Sequence, residues 1–192
     1  GQQINWSRNA FLINKGLDAV DDFNSSKSQN IQKLLHIAQP ENVIWWFEQA
    51  EANNVSSFDW IGISYYPQWS SVSLENLSDE LLSIRSQFGK RVMVVETAYP
   101  YTLDNVDNAN NILGSDAGIS EFGISTSGQL AYLNELKKAV SDGGAEGIIY
   151  WEPAWVSTNC ITKWAQGSHW DNATFFDASN NNEALEAFDF FK

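Results

Sequence analysis

Arg91-Val92-Met93-Val94-Val95-Glu96-Thr97-Ala98-Tyr99-Pro100 joins an apolar, mostly β-branched run to a carboxylate and then to a proline. With no polar residue alternating through it, such a run reads as a strand buried on both faces, the pattern of a parallel sheet. At about 3.3 Å per residue it crosses a domain core and delivers Glu96 to one rim. Pro100 lacks the N–H that a continuing ladder needs. Carboxylates at the C-terminal ends of parallel strands are where α/β barrels keep their chemistry, but a Glu can also simply end a strand beside water. These ten residues leave both readings open, so the chain on either side has to decide.

Working outward, helical and extended patterns alternate. Phe11, Leu12, Leu17, Val20 and Phe23 recur at three- and four-residue spacing behind a capping Asn5 or Ser7, which predicts a helix to about Asp22 and a turn over 24–28. Residues 33–38 predict a short strand with His36 near its end, and Pro40 opens a second helix that stops at Asn53-Asn54. Residues 58–64 predict a strand leading into Tyr65-Tyr66-Pro67-Gln68-Trp69, and 74–88 a helix with Gly89 in the left-handed position behind it. Beyond the Glu96 strand, 99–124 is a long polar loop on the same rim, 127–141 a helix ended by Gly143-Gly144, and 147–153 a fourth strand finishing in Trp151-Glu152-Pro153. A second rim loop covers 154–174, and 183–191 predicts a closing helix. Helix and strand in turn are the signature of a parallel sheet with helical crossovers. No glycine-rich phosphate fingerprint is present, which disfavours a nucleotide-binding sheet. Four strands make half of a (β/α)8 TIM barrel, which typically needs about 250 residues. Residues 1–192 therefore read as one domain that is incomplete, and the missing initiator Met points to a processed or trimmed start.

Composition narrows the function. Lys and Arg number 11 against 24 Asp and Glu, a net charge of −13 that repels phosphate backbones and anionic lipid. No nucleic-acid partner is expected. No apolar run approaches the roughly 20 residues of a membrane span, and Gly1 opens no signal peptide, so a soluble chain is expected. One cysteine, Cys160, allows no internal disulfide and reads as an inert thiol. Nine Trp, six Tyr and eleven Phe exceed what a core of this size requires, so part of that aromatic surface is free to meet a flat polar ligand such as a sugar.

Ile63-Ser64-Tyr65-Tyr66-Pro67, Val94-Val95-Glu96-Thr97-Ala98-Tyr99-Pro100, Tyr150-Trp151-Glu152-Pro153-Ala154-Trp155 and Ala173-Thr174-Phe175-Phe176-Asp177, in that order, resemble glycoside hydrolase family 53, the endo-β-1,4-galactanases. The likeness implies the second half of that family's barrel, from the fourth helix through the eighth strand and a closing helix. It also implies Glu96 as the nucleophile of a retaining hydrolysis, with β-1,4-galactan of pectic arabinogalactan as substrate and an extracellular, cell-surface or periplasmic setting. In the family the acid/base belongs to an Asn-Glu pair upstream of the point where this chain begins. Asn134-Glu135 and Asn182-Glu183 fall in or beside predicted helices and do not replace it. A retaining mechanism needs two carboxyls about 5 to 5.5 Å apart. The expected partners are thus the galactan chain and either a missing N-terminal half or a second copy. The alternative is a non-catalytic carbohydrate-binding or structural remnant.

Individual residues carry sharper expectations. Trp151 can stack under a pyranose ring beside the nucleophile, against a core-packing alternative. Tyr65 and Tyr66 alternate faces, so one at most enters the site, and a Tyr66 phenol there would hydrogen-bond the Glu96 carboxylate. His36 faces either substrate or a local partner. Trp69, Trp155 and Trp170 lie in rim loops, where sugar platforms belong. Glu152 matches no catalytic acid of the family and reads as a substrate contact or a structural hydrogen bond. His169 with Asp171 makes too few ligands for a metal site. Asp104, Asp107, Asn108 and Asp116 offer oxygens to a structural Ca²⁺ but lack EF-hand spacing, so no cofactor is expected to be required.

Overall fold

In the computed structural model, which describes residues 4–192 apart from 56, 159, 160, 162, 164 and 165, three strands pair in parallel in the order β1-β2-β3. They are β1 (Leu34–Ala38), β2 (Trp60–Ser64) and β3 (Arg91–Glu96). Four helices accompany them: α1 (Trp6–Lys27), α2 (Val43–Ala52), α3 (Leu77–Phe88) and α4 (Thr126–Asp142). Ile61, Ile63, Val92 and Val94 are fully buried and form one core with Phe47 of α2, Leu81 and Ile84 of α3 and Leu133 and Leu136 of α4. Two-residue periodicity sends the alternate positions, among them Leu34, His36, Gly62 and Met93, to the other face, the interior side of a barrel wall. That face is only partly covered, and Leu34 is 37% exposed.

Three sequence expectations need correction. The first helix runs past Asp22 to Lys27, because Asn24 does not break it. Its side chain instead lashes the end, exchanging hydrogen bonds with the backbone of Ile31 at 2.9 Å, and Ser28 takes the left-handed turn at φ 52°. The predicted fourth strand joins β3 through a single parallel bridge, Val94 to Ile148, flanked by hydrogen bonds from Glu146 N to Val92 O and from Ile149 N to Val94 O. It then loses regular pairing at the rim. The predicted closing helix is divided. Glu183–Ala184 forms β5, antiparallel to β4 (Phe176–Asp177), because Leu185 N is held by Phe175 O, and only Glu186–Phe191 turns, as a 3₁₀ helix.

Candidate active site

A one-residue irregularity aims Glu96. By strict alternation Glu96 would share the helix-facing side with Val92 and Val94. Ile63 pairs with Val94 but the next residue, Ser64, pairs with Glu96, which leaves Val95 as an extra residue in β3. A bulge of this kind re-aims the side chain behind it. Here it turns Glu96 to the interior side with Ser64. Backbone bonding follows the same change of phase: Glu96 O accepts from Tyr65 N on the β2 side at 2.9 Å, and Thr97 O rather than Glu96 O accepts from Trp151 N at 2.8 Å. This shift is also why the fourth extended segment leaves the ladder where it does.

Tyr66 continues the interior face of β2, and its hydroxyl donates to Glu96 Oε1 at 2.9 Å. Burial first, and then the carboxylate it serves, push the Tyr66 phenol far above the usual tyrosine range, so it remains a donor. Tyr65 points the other way and donates to Val72 O at 3.1 Å. His36 lies on the interior face of β1, with Nε2 2.7 Å from the hydroxyl of Ser64. Ser64 is buried and was not singled out from sequence, although strand alternation places it on the His36 face.

Aromatic side chains surround this carboxylate. The Tyr66 ring lies 4.9 Å from Trp69 and 5.6 Å from Trp170, centroid to centroid, and Trp170 in turn meets Trp69 and Trp151, each at 6.3 Å and edge-on. Trp170 is thus the hub of the group. Sequence placed it only in a rim loop, because nothing local distinguishes it from Trp155. Trp69 and Trp151 present exposed faces. Trp155 stands in the turn after Glu152 and makes no ring contact among the described residues. Glu152 itself sits at φ 49°, a left-handed conformation that non-glycine residues avoid. Burial pushes its carboxyl above the ordinary value, opposed by a hydrogen bond with Ser168.

The two rim loops are pinned to each other. Asp171, fully buried, accepts from Val106 N at 3.0 Å, and Asp107 accepts from Ser168 N and Ala109 N at 2.8 Å. Burial would raise the Asp107 carboxyl, but these backbone donors outweigh it and hold it below its usual value. His169 Nδ1 lies 2.7 Å from Asn110 O, and Asp116 accepts from Gln68. Among the described residues no three His, Cys, Asp or Glu side chains gather to hold a metal. Cys160 lies outside the described residues. Glu135 projects from α4 and Glu183 sits in β5, so neither Asn-Glu pair is part of the Glu96 cluster.

A carboxylate held by a neutral phenol, with exposed indoles beside it, can attack a sugar carbon and cradle the ring. The chain matches glycosyl hydrolase family 53 over residues 1–191. It is 55% identical over 188 residues to the arabinogalactan endo-beta-1,4-galactanase of Cellvibrio japonicus, covering 98% of this chain and 50% of that protein. To the endo-beta-1,4-galactanase of Bacillus subtilis it is 34% identical over 158 residues, 80% of this chain and 36% of that protein. Among solved structures, the GH53 catalytic domain of Ignisphaera aggregans superposes with a TM-score of 0.84 at 30% identity, over 98% of this chain and 52% of that one. A structure from a study of two fungal beta-1,4-galactanases gives a TM-score of 0.73 at 27% identity, over 100% of this chain and 56% of that one. The fold is that of a (β/α)8 glycosidase, and the chain spans about half the length of the relatives it matches.

Proposed function

Because the chain belongs to glycosyl hydrolase family 53, we propose that residues 1–192 form the second half of a (β/α)8 barrel and supply the nucleophile of an endo-acting, retaining β-1,4-galactanase. The observation that carries this reading is the bulge-aimed Glu96 with Tyr66 Oη at 2.9 Å. Tyr66 occupies one carboxylate oxygen and leaves the other to attack the anomeric carbon of a galactosyl residue. The bond from that carbon to the O4 of the next residue breaks, and an acid/base carboxyl outside this chain gives its proton to the departing oxygen. The galactosyl group is then an ester of Glu96. Water, giving its proton to the same acid/base, releases the sugar with its original configuration.

Trp151 and Trp69 supply stacking faces for the galactan chain, and His36, Trp155 and Glu152 supply further contacts along the rim. The complementary barrel half, or failing that a second copy of this chain, is the protein partner. Two carboxylates suffice for this chemistry, so no cofactor is required. A polymer of pectic arabinogalactan is met outside the cytoplasm, which favours an extracellular, cell-surface or periplasmic site of action. No helix among the described residues is long and apolar enough to cross a membrane.

The test joins this chain to the family's complementary half and replaces Glu96 by Ala. Turnover of β-1,4-galactan should fall by several orders of magnitude. Azide, filling the vacated space, should restore cleavage with inverted glycosyl azide as product. Near-normal turnover in the variant would remove Glu96 from the mechanism, and an inert wild-type assembly would favour a carbohydrate-binding remnant.

A further inference from the structure

Tyr65 and Tyr66 leave β2 in opposite directions, and a second depression opens on the Tyr65 side. Between the segment leading into α3 (70–78), the segment ahead of α4 (119–122) and the outer face of α4 lies a cleft of about 640 Å³. That is the size of a small-molecule site, typically about 300 to 1,000 Å³. None of its lining residues is in the Glu96 cluster.

The cleft has an apolar floor and a polar rim. Val72, Leu74 and Phe122 line the floor above the buried Tyr65, and the hydroxyls of Ser73 and Ser78 with the carboxylates of Glu75, Glu121 and Glu135 stand around it. Ser73 Oγ accepts from Asn76 at 2.9 Å, which leaves its proton to donate outward. Lys138 and Asp142 pair at 3.0 Å and cancel. The three glutamates are exposed and enter none of the ion pairs among the described residues, so the rim is net negative and repels anions. A metal ion is not favoured, because no three ligating side chains converge there. An apolar floor also suits a bare hydrated cation poorly. What fits is a neutral ring with a C–H underside and outward hydroxyls, whose protons go to the carboxylates and whose oxygens accept from Ser73.

We propose that this cleft is a second, non-catalytic binding site for a neutral saccharide chain, placed on the outer flank of the barrel away from Glu96. That the chain is β-1,4-galactan rests on the galactanase reading above. The site would hold an uncharged stretch of polymer while rejecting uronate-bearing stretches.

The experiment is a titration of the assembled enzyme, this chain isotopically labelled and the complementary half unlabelled, with β-1,4-galactotetraose, read from backbone amide shifts, in the Glu96→Gln background so that nothing is cleaved. Two separate sets of shifts are expected, one around Glu96, Trp151 and Trp170 and one over 71–75, 119–122 and the outer face of α4. Trigalacturonate should produce neither set. Phe122→Ala should abolish the second set and leave the first. Glu135→Gln, an exposed change with no packing consequence, should weaken the second set alone, which keeps the test valid if Phe122→Ala fails to fold. Shifts confined to the Glu96 rim would overturn the second site while leaving the galactanase reading intact. Shifts at the cleft alone would support the second site and count against that reading. No shifts anywhere would overturn both, and a stronger response of the cleft to spermidine than to the tetrasaccharide would show it to be an organic-cation site.

Discussion

Tyr66 and Glu96 form the pair on which the chemistry turns, and the phenol's burial defines what it does. A hydrogen bond to a charged acceptor contributes about 1.5 to 3 kcal/mol. Tyr66→Phe should therefore lower kcat/KM of the assembled enzyme by about tenfold to a hundredfold with little change in Tm. The pH dependence has a definite sign. An ordinary tyrosine loses its proton near pH 10, but Tyr66 is held well above that value, so the folded state keeps the proton that the unfolded chain gives up. Its contribution to stability is present below pH 10 and is lost as pH rises beyond it. A tyrosinate absorbance titration checks this: the Tyr66→Phe difference spectrum should show no Tyr66 ionisation near pH 10 while the protein stays folded. Part of this pair was legible in the sequence. Glu96 was marked by ending an apolar run, whereas alternation said only that one of Tyr65 and Tyr66 at most enters the site, and it is the 2.9 Å hydrogen bond to Glu96 that picks out Tyr66. Ser64 was not marked, because a serine in a strand carries no signal until its partner His36 is placed 2.7 Å away.

At the scale of elements, the period of the apolar residues located the helices and strands, since α2, α3 and α4 each bury a stripe at helical spacing. The bulge was invisible. Val94-Val95-Glu96 reads as uninterrupted strand, and the extra residue exists only relative to Ser64 on the neighbouring strand. The closing segment misled for the opposite reason: its apolar spacing is helical, but Phe175 O captures Leu185 N and holds the start extended. The start of α4 offers a direct test of how tightly the rim is built. Ser125 caps this helix by accepting from Gly128 N at 2.9 Å, and a Cβ on Gly128 would lie 2.5 Å from Gly123 O and 2.6 Å from Phe122 O. In an open helix Gly→Ala stabilises by about 1 kcal/mol. Here the obstacles are backbone carbonyls, and Tyr99 Oη already fixes that backbone by donating to Gly123 O at 2.9 Å. Gly128→Ala should destabilise by about 1 to 3 kcal/mol, the usual cost of overpacking. Denaturant unfolding decides the sign.

At the scale of the whole molecule, the described residues leave the interior face of the sheet partly open. Leu34 is 37% exposed, Ile149 53%, and Phe11 and Leu12 on α1 about as much or more at 60% and 59%. At about 25 cal/mol per Å², leaving a few hundred Å² of apolar surface in water forfeits on the order of 10 kcal/mol, comparable to the stability of an ordinary domain. The 192-residue chain should therefore self-associate alone and become dispersed and sharply melting when co-expressed with the complementary half. Sedimentation velocity would contradict this with a sharply melting 21.6 kDa monomer. The barrel-type fold was legible because helix and strand alternate along the chain. The second cleft was not, because its walls come from segments some fifty residues apart that only the packing of α3 against α4 brings together. The central claim, that Glu96 is the nucleophile, is tested most directly by trapping. A 2-deoxy-2-fluoro-β-galactobioside with a dinitrophenolate leaving group needs no acid catalyst, so the covalent step depends on the nucleophile alone. Digestion and mass spectrometry of the assembled enzyme should find the galactobiosyl ester on Glu96, within the peptide that carries 91–100. A label on Glu152, or steady release of dinitrophenolate with no label on the protein, would contradict the account.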